Sequence, residues 1–351
     1  MKNTLSPRIH IVILNWNNWK DTIECLESIY KQDYDNYQIV ICDNDSQDDS
    51  VNKIIEWSKG NISANVSENH PLARLSTESL NKHINFTVLD RDEAEDPKQQ
   101  KSSDTDLVLI HTGGNLGFAG GNNVGFRYAL NQEQSDFIWL LNNDTVVEAD
   151  ALSKMVNHSQ ELHAKGVKNT CGNTVCFYDD PNIIQALGGA SFNSWTGIAS
   201  QTLGRFTPRN SQINHKEYQQ KLDYITGCSW LLPRDFLEET GLMDERYFLY
   251  YEEIDWVLRS NNYTLTYAPD AYIYHKEGSS IGSKTLNKDS SLLSDFYMVR
   301  NKFKLAAKFK PWALPTVFLS TMLQAINRIR QGHINKAKLF IQIMFGKQYY
   351  P

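Results

Sequence analysis

Apolar and polar positions alternate in blocks along the chain. RIHIVIL (Arg8 to Leu14), YQIVIC (Tyr37 to Cys42), LVLIH (Leu107 to His111) and FIWLL (Phe137 to Leu141) are short apolar runs bounded by polar residues. Such runs, rich in β-branched residues, read as buried strands. Between them, Ile23, Leu26, Ile29 and Tyr30 fall at helical spacing, and Val51 to Trp57 opens a second helix. Strand, helix, strand, helix is most simply a parallel α/β sheet. Asp150 is the expected cap of a helix over Ala151 to His163, and Asn122 or Asn123 that of a helix after the glycine-rich stretch at 113–125. Beyond Gly166 the chain holds strand-like pieces, a turn at Gly188–Gly189 and the apolar run Tyr224 to Leu232. A short helix follows from Arg234 to Thr240, then another from Glu252. Two short strands are expected around Pro269, a loop from His275 to Gly282, and helix from Leu292 to near the end.

One stretch breaks the pattern. Residues 59–106 are dense in Asn, Ser, Lys, Asp and Glu, and read as a solvated surface insertion with one weak strand, Phe86 to Leu89, and no chemistry. Elsewhere the 41% hydrophobic and 22% charged content is that of a globular chain, which excludes fibrous and wholly disordered classes. No run approaches the about 20 apolar residues of a membrane-spanning helix. The first residues do not read as a secretory signal, because Asn15 and Asn17 cut the apolar stretch short. Five scattered cysteines make a poor disulfide framework and point to buried thiols in a reducing compartment.

Charge changes the picture at the C-terminus. After Asp295 there is no Asp or Glu, and the last 56 residues carry +10 against −16 for the rest. The same tail contains the apolar, proline-broken run Pro311–Ile326. Apolar and basic together suit an anionic membrane interface; a helical subdomain packed on the protein's own acidic body fits the composition too. No zinc, ribonucleoprotein or helix-turn-helix pattern supports nucleic-acid binding.

The candidate chemistry lies at strand ends, where open α/β sheets bind ligands. Four polar clusters stand there: NWNN (15–18), DND (43–45), GGNLGFAGGNN (113–123) and NND (142–144). The glycine-rich turn has neither the GxGxxG spacing of dinucleotide sites nor a GK[ST] phosphate loop. Asp144 suits a hard divalent cation shared with substrate phosphates, or else an Asx-turn. Glu252, Glu253 and Asp255 are costly to bury together, and their proximity raises at least one pKa, as a general base requires; an acidic helix N-terminus is the alternative. His275, alone after a strand, is a ligand or a structural residue.

In this order, IVILNWNN, VICDNDSQDDS, GGNLGFAGGNNVGF, WLLNNDTVV, GCSWLLPR, MDERYFLYYEEIDWVLR and the His275 loop resemble the inverting family 2 glycosyltransferases of GT-A fold. GNLGFAGGNN, LLNND, Arg300–Asn301 and the basic tail look most like its rhamnosyltransferase-like branch, which builds bacterial surface polysaccharides. The resemblance implies a GT-A domain over residues 1–282, a nucleotide-diphospho-sugar transferase fold with a mostly parallel sheet flanked by helices, and a helical extension over 283–351. It implies that Leu14, Asn15, Trp16 and Asp43 hold the base and ribose of a dTDP- or UDP-linked sugar, with Gly120, Asn123, Asn142 and Asn143 supporting the nucleotide and sugar. It places Mg²⁺ or Mn²⁺ at Asp144, with His275 as a second metal or diphosphate contact. Asn142 stands where the family's Asp-x-Asp element has its first Asp. Glu252–Glu253 take the place of the Glu-Asp pair, with Glu253 as general base. Trp195 and Trp230 are candidate platforms for acceptor sugar rings, or core aromatics. The acceptor would be a saccharide or lipid-linked saccharide, and a lipid-linked one would put the enzyme at the cytoplasmic leaflet, with vesicle binding reduced when residues after Asp295 are removed. The contrasting readings are a non-catalytic nucleotide-sugar-binding protein and a nucleotidyltransferase.

Overall fold

The computed structural model describes residues 6–77, 84–98, 105–260, 262–276 and 290–346. In the first half, strands β1 (Ile9–Asn15), β2 (Tyr37–Asp43), β3 (Phe86–Asp90), β4 (Leu107–His111) and β5 (Phe137–Asn142) are separated by helices α1 (Trp19–Ile29), α2 (Ser50–Ser58), α3 (Arg91–Glu95) and α4 (Gly117–Leu130). There follow β6 (Thr145–Val147), α5 (Ala151–Ala164), β7 (Asn169–Phe177), β8 (Ile184–Leu187), β9 (Gly189–Asn193), β10 (Ile198–Thr202), α6 (His215–Gln220) and β11 (Tyr224–Ile225). The chain continues through β12 (Ser229–Pro233), α7 (Arg234–Thr240), α8 (Glu252–Arg259), β13 (Thr264–His275), α9 (Leu292–Phe309), α10 (Leu314–Arg330) and α11 (Ile334–Met344).

The main sheet runs β3-β4-β2-β1-β5-β12-β7-β13-β6, with β8 beside β7, and β10-β9-β11 form a small second sheet. Strands β3, β4, β2, β1 and β5 are parallel; β12 then enters antiparallel. Register aligns Asn15 with Asp43, Asp43 with His111, and Leu14 with Asn142, so the polar clusters meet along one edge of the sheet. Alternation along β1 sends Ile9, Ile11 and Ile13 to one apolar layer and Val12 to the other. The glycine helix α4 lies close on the second face. A Cβ on Gly121 would stand 2.3 Å from Leu14 Cδ1, and one on Gly125 2.6 Å from Val12 Cγ1. Glycines four apart thus form the contact stripe that seats the helix on β1.

Several expectations need correction. The 59–106 stretch is built into the domain: Leu72, Leu75, Ile84, Leu89 and Ala94 are buried, and β3 is an edge strand of the main sheet. Its acidic run starts α3, whose Asp90 and Glu93 form a reciprocal capping box. Parts of the stretch, 78–83 and 99–104, lie outside the described residues. Around Pro269 there is one strand: the register of β13 on β7 shifts between Ala268 and Tyr272, and that bulge absorbs the proline. Asn122 and Asn123 sit inside α4, which begins at Gly117, and Asp150 makes no capping bond through its side chain. All five cysteines are buried and free.

The boundary expected at 282–283 falls outside the described residues. Helices α9, α10 and α11 share a small core of Phe296, Val299, Ala325, Leu339, Phe340 and Ile343. Leu305 of α9 packs with Tyr247, Tyr251 and Ile254 of the main domain. Among the described residues no helix is long and apolar enough to cross a membrane.

Candidate active site

A cavity of about 380 Å³ opens beyond the aligned strand ends. The polar turns contribute Leu14, Trp16, Asn44, Asn115 and Asn142–Asp144, and β13 adds His275. The rest of the lining comes from Thr226–Cys228, beside Asn142 through Asn142 N to Cys228 O at 2.9 Å, and from Phe248–Tyr250, Glu252 and Glu253, with Leu293 and Tyr297 of α9. A mostly apolar pocket holding a few convergent polar groups is the usual form of a ligand site.

Behind the polar wall runs a buried relay of hydrogen bonds. Asn15 Nδ2 donates to Asp43 Oδ1 at 2.8 Å, Thr22 Oγ1 to Asn15 Oδ1 at 2.6 Å, and Asn143 Nδ2 to Thr22 Oγ1 at 3.0 Å. Asp43 is buried and also accepts from Ser46 Oγ at 2.6 Å. This relay ties β1, β2 and α1 to the NND turn and fixes that turn for Asp144. Asp144 Oδ1 lies 3.2 Å from His275 Nε2, and His275 Nδ1 bonds to Gln185 Oε1 at 3.1 Å. A proton donated from Nδ1 leaves the Nε2 lone pair facing the carboxylate, as in metal-binding histidines oriented from behind. Among the described residues no group of three or more His, Cys, Asp or Glu could hold a metal ion. Two donors are nevertheless a fitting set for Mg²⁺ or Mn²⁺, which take one or two protein ligands and complete their shell with substrate phosphates and water.

Glu252 and Glu253 begin α8. Glu252 is buried, and its Oε2 has no hydrogen-bond partner among the described residues. Burial, then the neighbouring Glu253 carboxylate, push its pKa well above the ordinary carboxylate value. Glu253 faces the cavity and is also raised by burial, against its own N–H and that of Gly227, which favour the charged form. A Cβ on Gly227 would stand 2.6 Å from Glu253 Oε1. Asp255, the third acid of the cluster, faces away: Arg259 Nε at 2.7 Å and Lys308 Nζ at 2.5 Å hold it in a buried ion pair. Cys228 lies near both Asp144 and Glu253, and all three line the cavity.

Of the residues expected from sequence, Leu14, Trp16, Asn142, Asn143, Asp144, Glu252, Glu253 and His275 line one cavity. Asn15 and Asp43 stand behind its wall. Asn123 is buried in α4, donating to Met243 O at 2.9 Å and Glu245 Oε1 at 3.0 Å, and Gly120 lies one turn into the same helix. Trp230 is no sugar platform: it is fully buried, edge-on to Trp256 at 5.4 Å. Trp195 is exposed, on the turn between β9 and β10, outside the cavity lining, with Lys310 Nζ 3.8 Å from its ring centre. Sequence reasoning held Asn44 only as part of the DND cluster and passed over Phe248, Tyr250, Leu293 and Tyr297. The aromatic run YFLYY directly before the paired glutamates was the available signal for Phe248 and Tyr250; Leu293 and Tyr297 arrive from a distant helix and carried none.

The model of glycosyl transferase family 2 matches residues 10–70 and 90–241. The chain belongs to that family. A curated relative of this family 2 glycosyltransferase, the low-salt glycan biosynthesis hexosyltransferase Agl10 of Haloferax volcanii, is 27% identical over 176 residues, 50% of this chain and 52% of that protein. The chain thus spans about half the length of that relative. A crystal structure of GalNAc-T7 with UDP, GalNAc and Mn²⁺ superposes with a TM-score of 0.52 at 14% identity, over 85% of this chain and 48% of that one, and shares its fold. The GT-A architecture expected from sequence is therefore the one found, with helices added at the C-terminus. Leu14, Trp16 and Asp144 of this glycosyltransferase lie within the family match; Glu252, Glu253, His275 and the C-terminal helices lie beyond it.

Proposed function

We propose that the chain transfers a hexose, rhamnose-like in type, from a dTDP- or UDP-linked donor to a saccharide or lipid-linked saccharide, with inversion at the anomeric carbon. The observation that carries this reading is the shared cavity, which a carboxylate of raised pKa, Glu253, and the Asp144–His275 pair line together. The family and the hexosyltransferase relative support the reaction class. The departure of Asn142 from the family's Asp-x-Asp element leaves one carboxylate there, which with His275 is still a fitting donor set.

In the transfer, an acceptor hydroxyl oxygen bonds to the anomeric carbon as the bond from that carbon to the diphosphate oxygen breaks. Glu253 takes the hydroxyl proton, and the nucleoside diphosphate leaves with the bonding pair. Asp144 and His275 would hold Mg²⁺ or Mn²⁺, whose charge offsets that gathering on the leaving group. Leu14 and Trp16 would present an apolar edge to the nucleoside, and Asn142 and Asn143, which line the same cavity, would support the sugar and diphosphate. Work on a lipid-linked acceptor would bring the basic C-terminal helices to an anionic membrane surface.

The test is nucleoside diphosphate release from a panel of nucleotide sugars, with Mg²⁺, Mn²⁺ or EDTA. Release from one donor should vanish in EDTA and fall about 10²–10⁴-fold in Glu253→Gln. A donor that binds and is never released, even with lipid-linked acceptors present, would mark a non-catalytic binding protein. Pyrophosphate released from a nucleoside triphosphate would mark a nucleotidyltransferase.

A further inference from the structure

Glu252 and Glu253 are reached through a backbone that proteins seldom adopt. Phe248, Tyr250 and Tyr251 all have left-handed conformations, with φ of 63°, 66° and 75°. Side chains with a Cβ avoid this region, and bulky ones occupy it only where their surroundings over-determine it. Three such residues within four positions need an external hold.

That hold comes from one side chain about 50 positions later. Asn301, on α9, is fully buried. Its Nδ2 lies 2.8 Å from Tyr247 O, 2.7 Å from Leu249 O and 3.0 Å from Tyr250 O. Two N–H groups thus gather three carbonyls, of which Tyr247 O also accepts from Leu249 N at 2.7 Å. Arg300 Nη1 donates to Asn301 Oδ1 at 3.1 Å and so fixes the orientation of the amide. The one carbonyl of the set that Asn301 does not reach, Phe248 O, accepts from Phe118 N at 2.6 Å. Other contacts from α9 follow the same segment: Tyr250 OH meets Ser294 Oγ at 2.7 Å, and the rings of Phe248 and Tyr297 stack at 4.9 Å.

We propose that Asn301 is a positioning residue for glycosyl transfer: by collecting the carbonyls of Tyr247, Leu249 and Tyr250 it fixes the strained lead-in that aims Glu253 at the acceptor hydroxyl. The proposal rests on the reading of Glu253 as the base. It gives the extension a role inside the active site. It also explains the residue type: a short amide offers two donors at the right reach, whereas the isosteric carboxylate would turn acceptors toward three carbonyl oxygens.

The experiment compares wild type, Asn301→Asp and Glu253→Gln by hydrogen exchange over residues 247–253, thermal unfolding, nucleotide affinity with UDP and dTDP plus Mn²⁺, and turnover on the donor found in the release panel. In N301D, exchange in that segment should quicken by at least about tenfold and kcat fall by at least about tenfold. Nucleotide affinity should stay within about twofold, because Leu14, Trp16 and Asp144 stand on elements that Asn301 does not touch. A merely structural role would lower the melting temperature, or weaken nucleotide binding in parallel, without this split. Wild-type exchange and kcat in folded N301D would overturn the proposal. Should N301D not fold, Ser294→Ala carries the test, since it removes only the hydroxyl that holds Tyr250; at least about threefold faster exchange and slower turnover are expected, and no change overturns it. If wild type and E253Q turn over alike, the reading of Glu253 fails, and the exchange data still decide whether Asn301 holds the segment.

Discussion

At the scale of single residues, the paired glutamates trade stability for chemistry. Glu252 is buried beside Glu253, and both acids are raised above their ordinary values. A carboxyl whose pKa is higher in the folded state gives its full contribution to stability below the unfolded value, and loses it as pH rises through the folded value. Replacing Glu252 with Gln removes a buried charge that strengthens with pH. Its melting temperature should match wild type near pH 5 and exceed it by about 2 °C at pH 8; a gap equal at both values would show that the charge is not the cost. Turnover should rise with pH through the raised value of Glu253 and lose that limb in E253Q. The groups near Glu253 are Glu252, Asp144, Cys228 and Tyr224, and of these Glu252 and Asp144 are the carboxylates that can disturb the limb. The acid cluster was legible in sequence because three acids in four positions are rare beside Tyr and Trp. The resemblance picked Glu252 and Glu253, but the acids alone did not separate Asp255 from them, because Asp255 is turned away by Lys308, a residue 53 positions distant.

At the scale of elements, the strands were legible wherever a strand carries its own period, as in β1, β2, β4 and β5. They were misread where the neighbours decide. β3 was legible as a weak strand, but its polar flanks hid that it joins the main sheet, and the continuity of β13 was hidden by a proline that only the register with β7 accommodates. The glycine helix is the instructive case. In sequence its glycines match no phosphate-loop pattern, and the resemblance puts Gly120 at the nucleotide; in the fold the glycines are contact points for the sheet and for the Phe248 segment of the cavity wall. Gly117 has φ +71°, and a Cβ there would lie 2.3 Å from Phe248 O. Ala at this position is both conformationally wrong and in collision with the segment that Asn301 holds. Gly117→Ala should cost about 2–4 kcal/mol in urea unfolding, and a loss under about 1 kcal/mol would mean that the turn yields more easily than its packing implies.

At the scale of the molecule, the basic tail divides in two. Much of its charge points inward: Lys308 to Asp244 and Asp255, Lys304 to Arg246 O, Lys310 to Ser194, Lys336 to Ser290 and Asp295. This part answers the acidic body, as one reading of the composition allowed, and it fastens α9 to the active site. Cutting the chain after Asp295 would therefore remove Asn301 and Lys308 and say nothing specific about membranes. What faces outward is different. Leu319, Met322, Leu323, Ile326 and Ile329 are exposed along α10, with Trp312 before it and Phe345 after α11. Arg330 and Lys338 are exposed beside them and Arg328 is half-buried, and no acidic residue occurs anywhere after Asp295 to oppose an anionic surface. An apolar helical face flanked by cations and free of acids suits lipid headgroups and the acyl boundary beneath them. Leu319→Ser with Leu323→Ser should lower sedimentation with phosphatidylserine vesicles by at least about threefold, while leaving release from the donor intact, since neither side chain reaches the cavity. Unchanged sedimentation would remove the membrane from this account, and a concentration-dependent dimer lost in the same variant would assign the stripe to a second copy of the chain. Neutral vesicles separate the two components of the attraction: apolar insertion alone would persist there, whereas the part owed to Arg328, Arg330 and Lys338 would be lost, as it would be in high salt.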